Sequence, residues 1–164
     1  MEYLYAPWRI EYIKRAAKEE GCILCRKPKE SNDADNYVLV RGGKNFIMMN
    51  AYPYGPGHLM VAPYRHTALF EELTDEEITE HYTLVRLGVK VLKQVFSPEG
   101  FNLGMNLGRV AGAGIDTHLH SHIVPRWNGD TNFMPVIGDT RVVNEALGET
   151  YARLRCAFEA CARR

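Results

Sequence analysis

Residues 118–122 read His-Leu-His-Ser-His, so half of the chain's six histidines fall at every second position. A period of two belongs to an extended strand, where side chains at i, i+2 and i+4 share one face. His118, His120 and His122 then form a row, with Leu119, Ser121 and Ile123 opposite them. Neutral imidazoles side by side resist joint protonation and offer donors and acceptors at neutral pH. Two chemistries use such a row: a metal held by three imidazoles, or a histidine nucleophile whose neighbours bind an anion. A histidine-rich solvated strand is the plain alternative.

The rest of the chain supplies partners for that strand. Tyr37–Arg41 and Asn45–Asn50 flank the hairpin signal Gly42-Gly43, and Gly57–Pro63 makes a third strand after a Pro/Gly-rich connection. Short links between the three argue for an antiparallel meander. Glu30–Asn36 is polar and reads as a loop, and residues 67–73 read as a short helical piece. Thr74-Asp75-Glu76-Glu77 fits a capping box, and apolar residues then recur at helical spacing up to Phe96. Phe101–Asn106 is a fourth strand, Arg109–Gly114 a glycine-rich loop, Gly129–Thr140 a polar loop and Glu145–Ala162 a C-terminal helix. Lys14–Glu20 reads as a turn or two of helix. No repeat or linker divides the 164 residues, so one α+β domain is expected.

Charge narrows the partners. Lys plus Arg equals Asp plus Glu at 20 each, which gives no basic excess for nucleic acid. No apolar run approaches a membrane span, and no leader opens the chain, so a cytoplasmic location is the default. Glycines in the 109–114 loop let backbone amides approach a phosphate closely. Cys22 and Cys25 form a Cys-x-x-Cys, a metal half-site, redox pair or two free thiols. A structural zinc takes about four ligands, and His66 and His118 would complete a Cys2His2 set.

His118-x-His120-x-His122-Ile123-Val124, followed by Pro125-Arg126, resembles the signature of the histidine triad (HIT) superfamily. Asn50 with Pro56-Gly57-His58-Leu59-Met60-Val61 resembles the family's nucleotide pocket, and Phe101–Asn106 its ribose- and phosphate-contacting strand. Pro125–Phe133 resembles the Fhit-like and diadenosine tetraphosphate phosphorylase-like branch. The resemblance covers roughly residues 20–127, the expected domain core, with 128–164 as an extension.

It implies a fold: an antiparallel five-stranded sheet with flanking helices, continued across a homodimer. It also implies roles. His120 takes the α-phosphate of an adenine nucleotide, His122 hydrogen-bonds the phosphate or leaving group, and His118 orients the site or ligates a structural zinc with Cys22, Cys25 and His66. Nucleotide contacts fall to Phe46, Ile47, Asn50, His58, Asn106, Gly112 and Gly114, with no organic cofactor. The implied activity is cleavage of diadenosine polyphosphates or adenosine phosphoramidates, with hydrolysis and phosphorolysis both open. A non-catalytic nucleotide-binding module and a tri-histidine metal hydrolase are the competing readings. Ile115-Asp116 stands where the family often has a glutamine, which puts an acid beside the expected phosphates.

Overall fold

The computed structural model describes residues 21–130 and 145–162. Strands β1 (Val38–Arg41), β2 (Asn45–Met49), β3 (Leu59–Pro63), β4 (Gly100–Met105) and β5 (Ser121–Arg126) form one sheet. Their order is β1-β2-β3-β5-β4, and every neighbouring pair is antiparallel. Four helices accompany it among the described residues: α1 (Ile23–Arg26), α2 (Asp33–Asn36), α3 (Asp75–Phe96) and α4 (Leu147–Ala162). This is the α+β sheet-and-helix architecture that the sequence implies. No described helix is long and apolar enough to cross a membrane.

Alternation along the strands sorts residues into two layers. Ile47, Met49, Leu59, Val61 and Ile123 face the long helices and pack with Leu84, Val85, Val91 and Leu92 of α3 and Leu154 and Phe158 of α4. Each fully buried aliphatic side chain contributes roughly 1.5–3 kcal/mol, so this layer holds both helices to the sheet. Phe46, Met48, Met60 and Ala62 face the other side, under Leu24 of α1 and Ile115. His122 lies on that second side, one residue out of phase with Ile123. Gly88 lets α3 approach closely, because a Cβ there would meet the Ile123 Cδ1 at 2.7 Å.

The capping box that starts α3 forms as expected. Thr74 Oγ1 accepts from the Glu77 amide at 3.3 Å, and the Glu77 carboxylate accepts from the Thr74 amide at 2.8 Å. The same carboxylate takes two hydrogen bonds from Arg65, at 3.0 and 2.8 Å. Arg65 first and the Thr74 amide second pull the Glu77 carboxyl down to about 2. A depressed carboxyl adds stability that is full above its unfolded value near 4.5 and is lost as pH falls through about 2. Glu77→Gln is therefore expected to cost about 1–2 kcal/mol at neutral pH, discounted because Arg65 is partly solvated. Urea unfolding at a series of pH values should show the gap to the parent closing as pH falls towards 2.

Several expectations shift. β5 begins at Ser121, so His118 and His120 precede the strand instead of sharing it with His122. The cause is long-range: His118 Nε2 donates to the Pro63 carbonyl at 2.8 Å, and the Leu119 amide donates to the Thr67 carbonyl at 2.8 Å. Those bonds tie the approach to β5 to the segment after β3, away from ladder geometry. The 30–36 loop ends in the single turn α2, whose N-cap Asn32 accepts from the Asp35 amide at 3.4 Å. The 67–73 piece reduces to a 3-10 turn at Phe70–Glu72, and the C-terminal helix starts at Leu147. The Lys14–Glu20 helix lies outside the described residues, as does the 129–140 loop beyond Asp130.

Candidate active site

The three histidines of the motif serve two different centres. His118 turns its Nδ1 towards Cys22 Sγ at 3.3 Å, Cys25 Sγ at 3.4 Å and His66 Nδ1 at 3.3 Å. Cys25 Sγ is also 3.3 Å from His66 Nδ1, and all four ligand atoms lie within 4.8 Å of one another. The turn α1 brings both cysteines to one side, His66 follows β3, and His118 precedes β5. Ligands about 2.0–2.3 Å from a tetrahedral ion stand roughly 3.3–3.8 Å apart, so the set has the right size for zinc.

Its chemistry fits as well. The His118 Nε2–H is fixed on the Pro63 carbonyl, which leaves Nδ1 as the ligating atom and supplies the outer partner that metal-bound imidazoles usually have. Burial first, and the adjacent Cys22 second, push the Cys25 thiol up. A cation among the four atoms reverses that balance and favours thiolates. With four protein ligands such a centre is closed, which is the pattern of a structural site.

The second centre is defined by where its protons sit. The Tyr54 amide, always a donor, reaches His58 Nδ1 at 3.0 Å. His58 therefore carries its proton on Nε2 and donates it to His122 Nδ1 at 2.9 Å. Neutral His122 in turn holds its own proton on Nε2. Asn50 supports the arrangement, with its Oδ1 accepting from the Tyr52 amide at 2.9 Å and its Nδ2 lying 3.4 Å from His58 Nδ1.

His120 has the opposite polarity. Its Nδ1–H donates to the His118 carbonyl at 2.9 Å, so its Nε2 bears the lone pair. Burial pushes its imidazolium below the usual range, which keeps the ring neutral at neutral pH. The His120 and His122 rings meet edge to face with centroids 4.8 Å apart. A base or nucleophile thus stands beside a proton donor. The three rings do not converge on a single point, and that arrangement does not suit a tri-histidine metal.

The other expected residues are spread around this pair. Asn106 is half-buried just past β4, one position beyond the Met105–Ser121 pair and so level with His120. His58 lies beneath His122 and is 1% exposed. Its Nε2 meets the Nδ1 side of that ring. Phe46 sits in the layer on the histidine side, whereas Ile47 points into the helix-packed core, and both are fully buried. A base-contacting role does not suit Ile47, because strand alternation turns it away. Gly112 adopts a left-handed conformation at φ 90° and gives its amide to the Arg109 carbonyl. Gly114 follows it, exposed, in the same loop. Asp116 meets Arg109 at 3.2 Å, which offsets its charge next to the site.

Two participants escape a sequence reading. Tyr54 lies within a Pro/Gly-rich turn that signals only a bend, yet its ring packs 4.6 Å from His58 and 5.7 Å from His122. His81 is a polar residue among the apolar side chains on the buried stripe of α3, one turn after Glu77. That position on an apolar face was its one available signal.

Residues 31–129 match the family model described as the HIT domain. An AP-4-A phosphorylase of Mycobacterium tuberculosis is 38% identical over 157 residues, covering 92% of this chain and 80% of that protein. An asymmetrical bis(5'-nucleosyl)-tetraphosphatase of Schizosaccharomyces pombe is 38% identical over 93 residues, which cover 57% of this chain and 50% of that protein. Among solved structures, a zinc-bound histidine triad family protein from Mycobacterium smegmatis superimposes with a TM-score of 0.69. At 19% identity, over 87% of this chain and 96% of that one, it speaks for the fold alone.

Proposed function

The chain belongs to the HIT domain family, and on that premise we propose that it cleaves adenine nucleotides at the α-phosphate through a nucleotidyl-histidine. Diadenosine polyphosphates are the favoured substrates and adenosine phosphoramidates the second class, in keeping with the names of its relatives. The observation that carries the mechanism is the proton pattern: a lone pair on His120 Nε2 and a proton on His122 Nε2. The His120 lone pair attacks the α-phosphorus and an N–P bond forms. The P–O bond to the leaving phosphate chain breaks, and that oxygen keeps the electron pair and its negative charge, stabilised by the hydrogen bond from His122 Nε2–H. Water or inorganic phosphate then attacks phosphorus from the vacated side, its proton passes to a phosphate oxygen of the product, and the N–P pair returns to His120.

Asn106, level with His120, supports the phosphate oxygens or ribose, and Asn50 and Phe46 contribute on the nucleotide side. Cys22, Cys25, His66 and His118 are proposed to hold a structural zinc. Bound there, the metal supplies a cross-link between α1, the segment after β3 and the approach to β5. Since the His118 carbonyl receives the His120 proton, fixing His118 also fixes the tautomer of the nucleophile. The proposed domain runs through the whole chain, with its core at about 20–127, in a cytoplasmic setting.

The proposed assembly is a homodimer that extends the sheet across β4. At the other edge, α4 covers β1, where the Val38 and Leu39 carbonyls accept from Tyr151 and Arg155 at 2.9 and 3.1 Å. β4 is the remaining edge, and Leu103 on it is 54% exposed. Leu103→Asp places like charges across such a dyad and is expected to raise the dimer dissociation constant at least about tenfold. Sedimentation across a concentration series reads that shift directly.

Incubation with diadenosine tetraphosphate, with and without inorganic phosphate, tests the activity. ADP plus ATP identifies phosphorolysis and AMP plus ATP identifies hydrolysis. No turnover of this substrate or of an adenosine phosphoramidate would refute the proposal.

A further inference from the structure

Ser121 opens β5 between His120 and His122, and its side chain faces the helix layer. Its Oγ lies 2.7 Å from Nε2 of His81, a ring on α3 that is 1% exposed. The other ring nitrogen, Nδ1, lies 3.0 Å from Asn45 Oδ1. Asn45 in turn donates from Nδ2 to the Glu77 carbonyl at 3.0 Å and to Glu80 Oε2 at 3.2 Å. Those two acceptors set the amide's orientation, so Oδ1 must accept and His81 Nδ1 must donate. His81 Nε2 is left as an acceptor, and the Ser121 hydroxyl donates to it. Only one placement of protons satisfies the chain.

The chain is anchored at its far end. Glu80 also accepts from the Gly43, Lys44 and Asn45 amides at 2.6–2.7 Å. Burial raises the Glu80 carboxyl, yet these bonds outweigh it and hold the group ionised, below its usual range. Burial likewise lowers His81 to about 4, so its ring is neutral. Apolar side chains could fill this space without the cost of burying a hydroxyl, an imidazole and an amide. The feature that polar groups add is direction.

We propose that Ser121 and His81, backed by Asn45, are positioning residues for nucleotidyl transfer, fixing the peptide that joins the nucleophile to the proton donor. His120 lies outside the ladder, so its placement depends on Ser121, whose backbone pairs with both Val61 and Met105. Pinning the Ser121 side chain removes the remaining freedom to rotate about the strand axis. The 4.8 Å edge-to-face spacing of the two rings follows from that restraint. This proposal rests on the nucleotidyl-transfer reading, and its test separates the two.

Ser121→Ala, Ser121→Thr and His81→Phe are compared in the full-length protein. Displacements of well under 1 Å suffice for an expected fall of about tenfold in kcat for Ser121→Ala, with KM changed less than about twofold. Ser121→Thr keeps the donor and should restore most of kcat. The Ser121→Ala/His81→Phe double variant should lose no more than the worse single variant. Imidazole 15N shifts of His120 and His122, read without substrate, should move in Ser121→Ala and return in Ser121→Thr. A lowered melting temperature with unchanged kcat and unchanged imidazole shifts would overturn the proposal, as would a kcat loss that threonine does not restore. If the parent turns over no nucleotide, the activity reading falls, and the imidazole shifts still decide the positioning role.

Discussion

His120→Ala is expected to lower kcat on diadenosine tetraphosphate by at least about 10⁴-fold, because no second group can form the covalent intermediate. KM should change little, since the ring's contribution lies in the chemical step. The fold should survive. His120 precedes β5, and among the described residues its side chain makes one hydrogen bond, to the backbone of His118. His122→Asn is expected to lose less, about 10²–10³-fold, because an amide can still donate to the leaving oxygen. Steady-state kinetics and circular dichroism on the same preparations check both points. A chain that only binds nucleotides would keep its binding and its downstream effect in His120→Ala.

Removing the metal should have the second-largest effect, on stability first and activity second. The purified chain is expected to carry about one zinc, lost together with Cys22 and Cys25 when both become serine. A ligand present at about a thousand times its dissociation constant adds about 4 kcal/mol, which in a chain of this size is a fall of about 10 °C in Tm on removal. The sheet should persist, since its helix-side core draws nothing from the Cys/His cluster. Activity should fall with metal content, because the His118 carbonyl accepts the hydrogen bond that orients the nucleophile. Cobalt substitution should give the visible absorption of a tetrahedral thiolate site. A zinc-free protein with an unchanged melting temperature in chelator would contradict the assignment.

Local chemistry made much of this molecule legible in advance. The Gly42-Gly43 hairpin, the meander through Pro63 and the Thr74 capping box each follow from neighbours within a few residues, and each is present. The Cys2His2 cluster was legible as an inventory of two thiols and two imidazoles, although the separation between Cys22 and His118 hid its geometry. What local pattern could not supply was set by distant partners. Strict alternation placed three histidines on one strand, but the Pro63 and Thr67 carbonyls draw His118 and Leu119 out of it. His58 looked like a nucleotide contact and lies behind His122, an outcome that depends on how far β3 and β5 are staggered. Asp116 looked misplaced beside phosphates until the turn at Arg109–Ala111 brought Arg109 back to it. Ser121 falls on the face opposite the histidines, and nothing local points to its partner His81, on a helix 40 residues away.

The central claim is that His120 becomes covalently nucleotidylated, and a rapid acid-free quench of the enzyme with adenine-labelled diadenosine tetraphosphate tests it most directly. Denatured protein should retain label that maps to the peptide containing His120, with lability to acid and stability to base as expected of a phosphoramidate. The label should be absent from His120→Ala and should disappear when the native enzyme is chased with water or phosphate. Turnover of the substrate with no protein-bound nucleotide at any quench time, or label that survives in His120→Ala, would contradict the account.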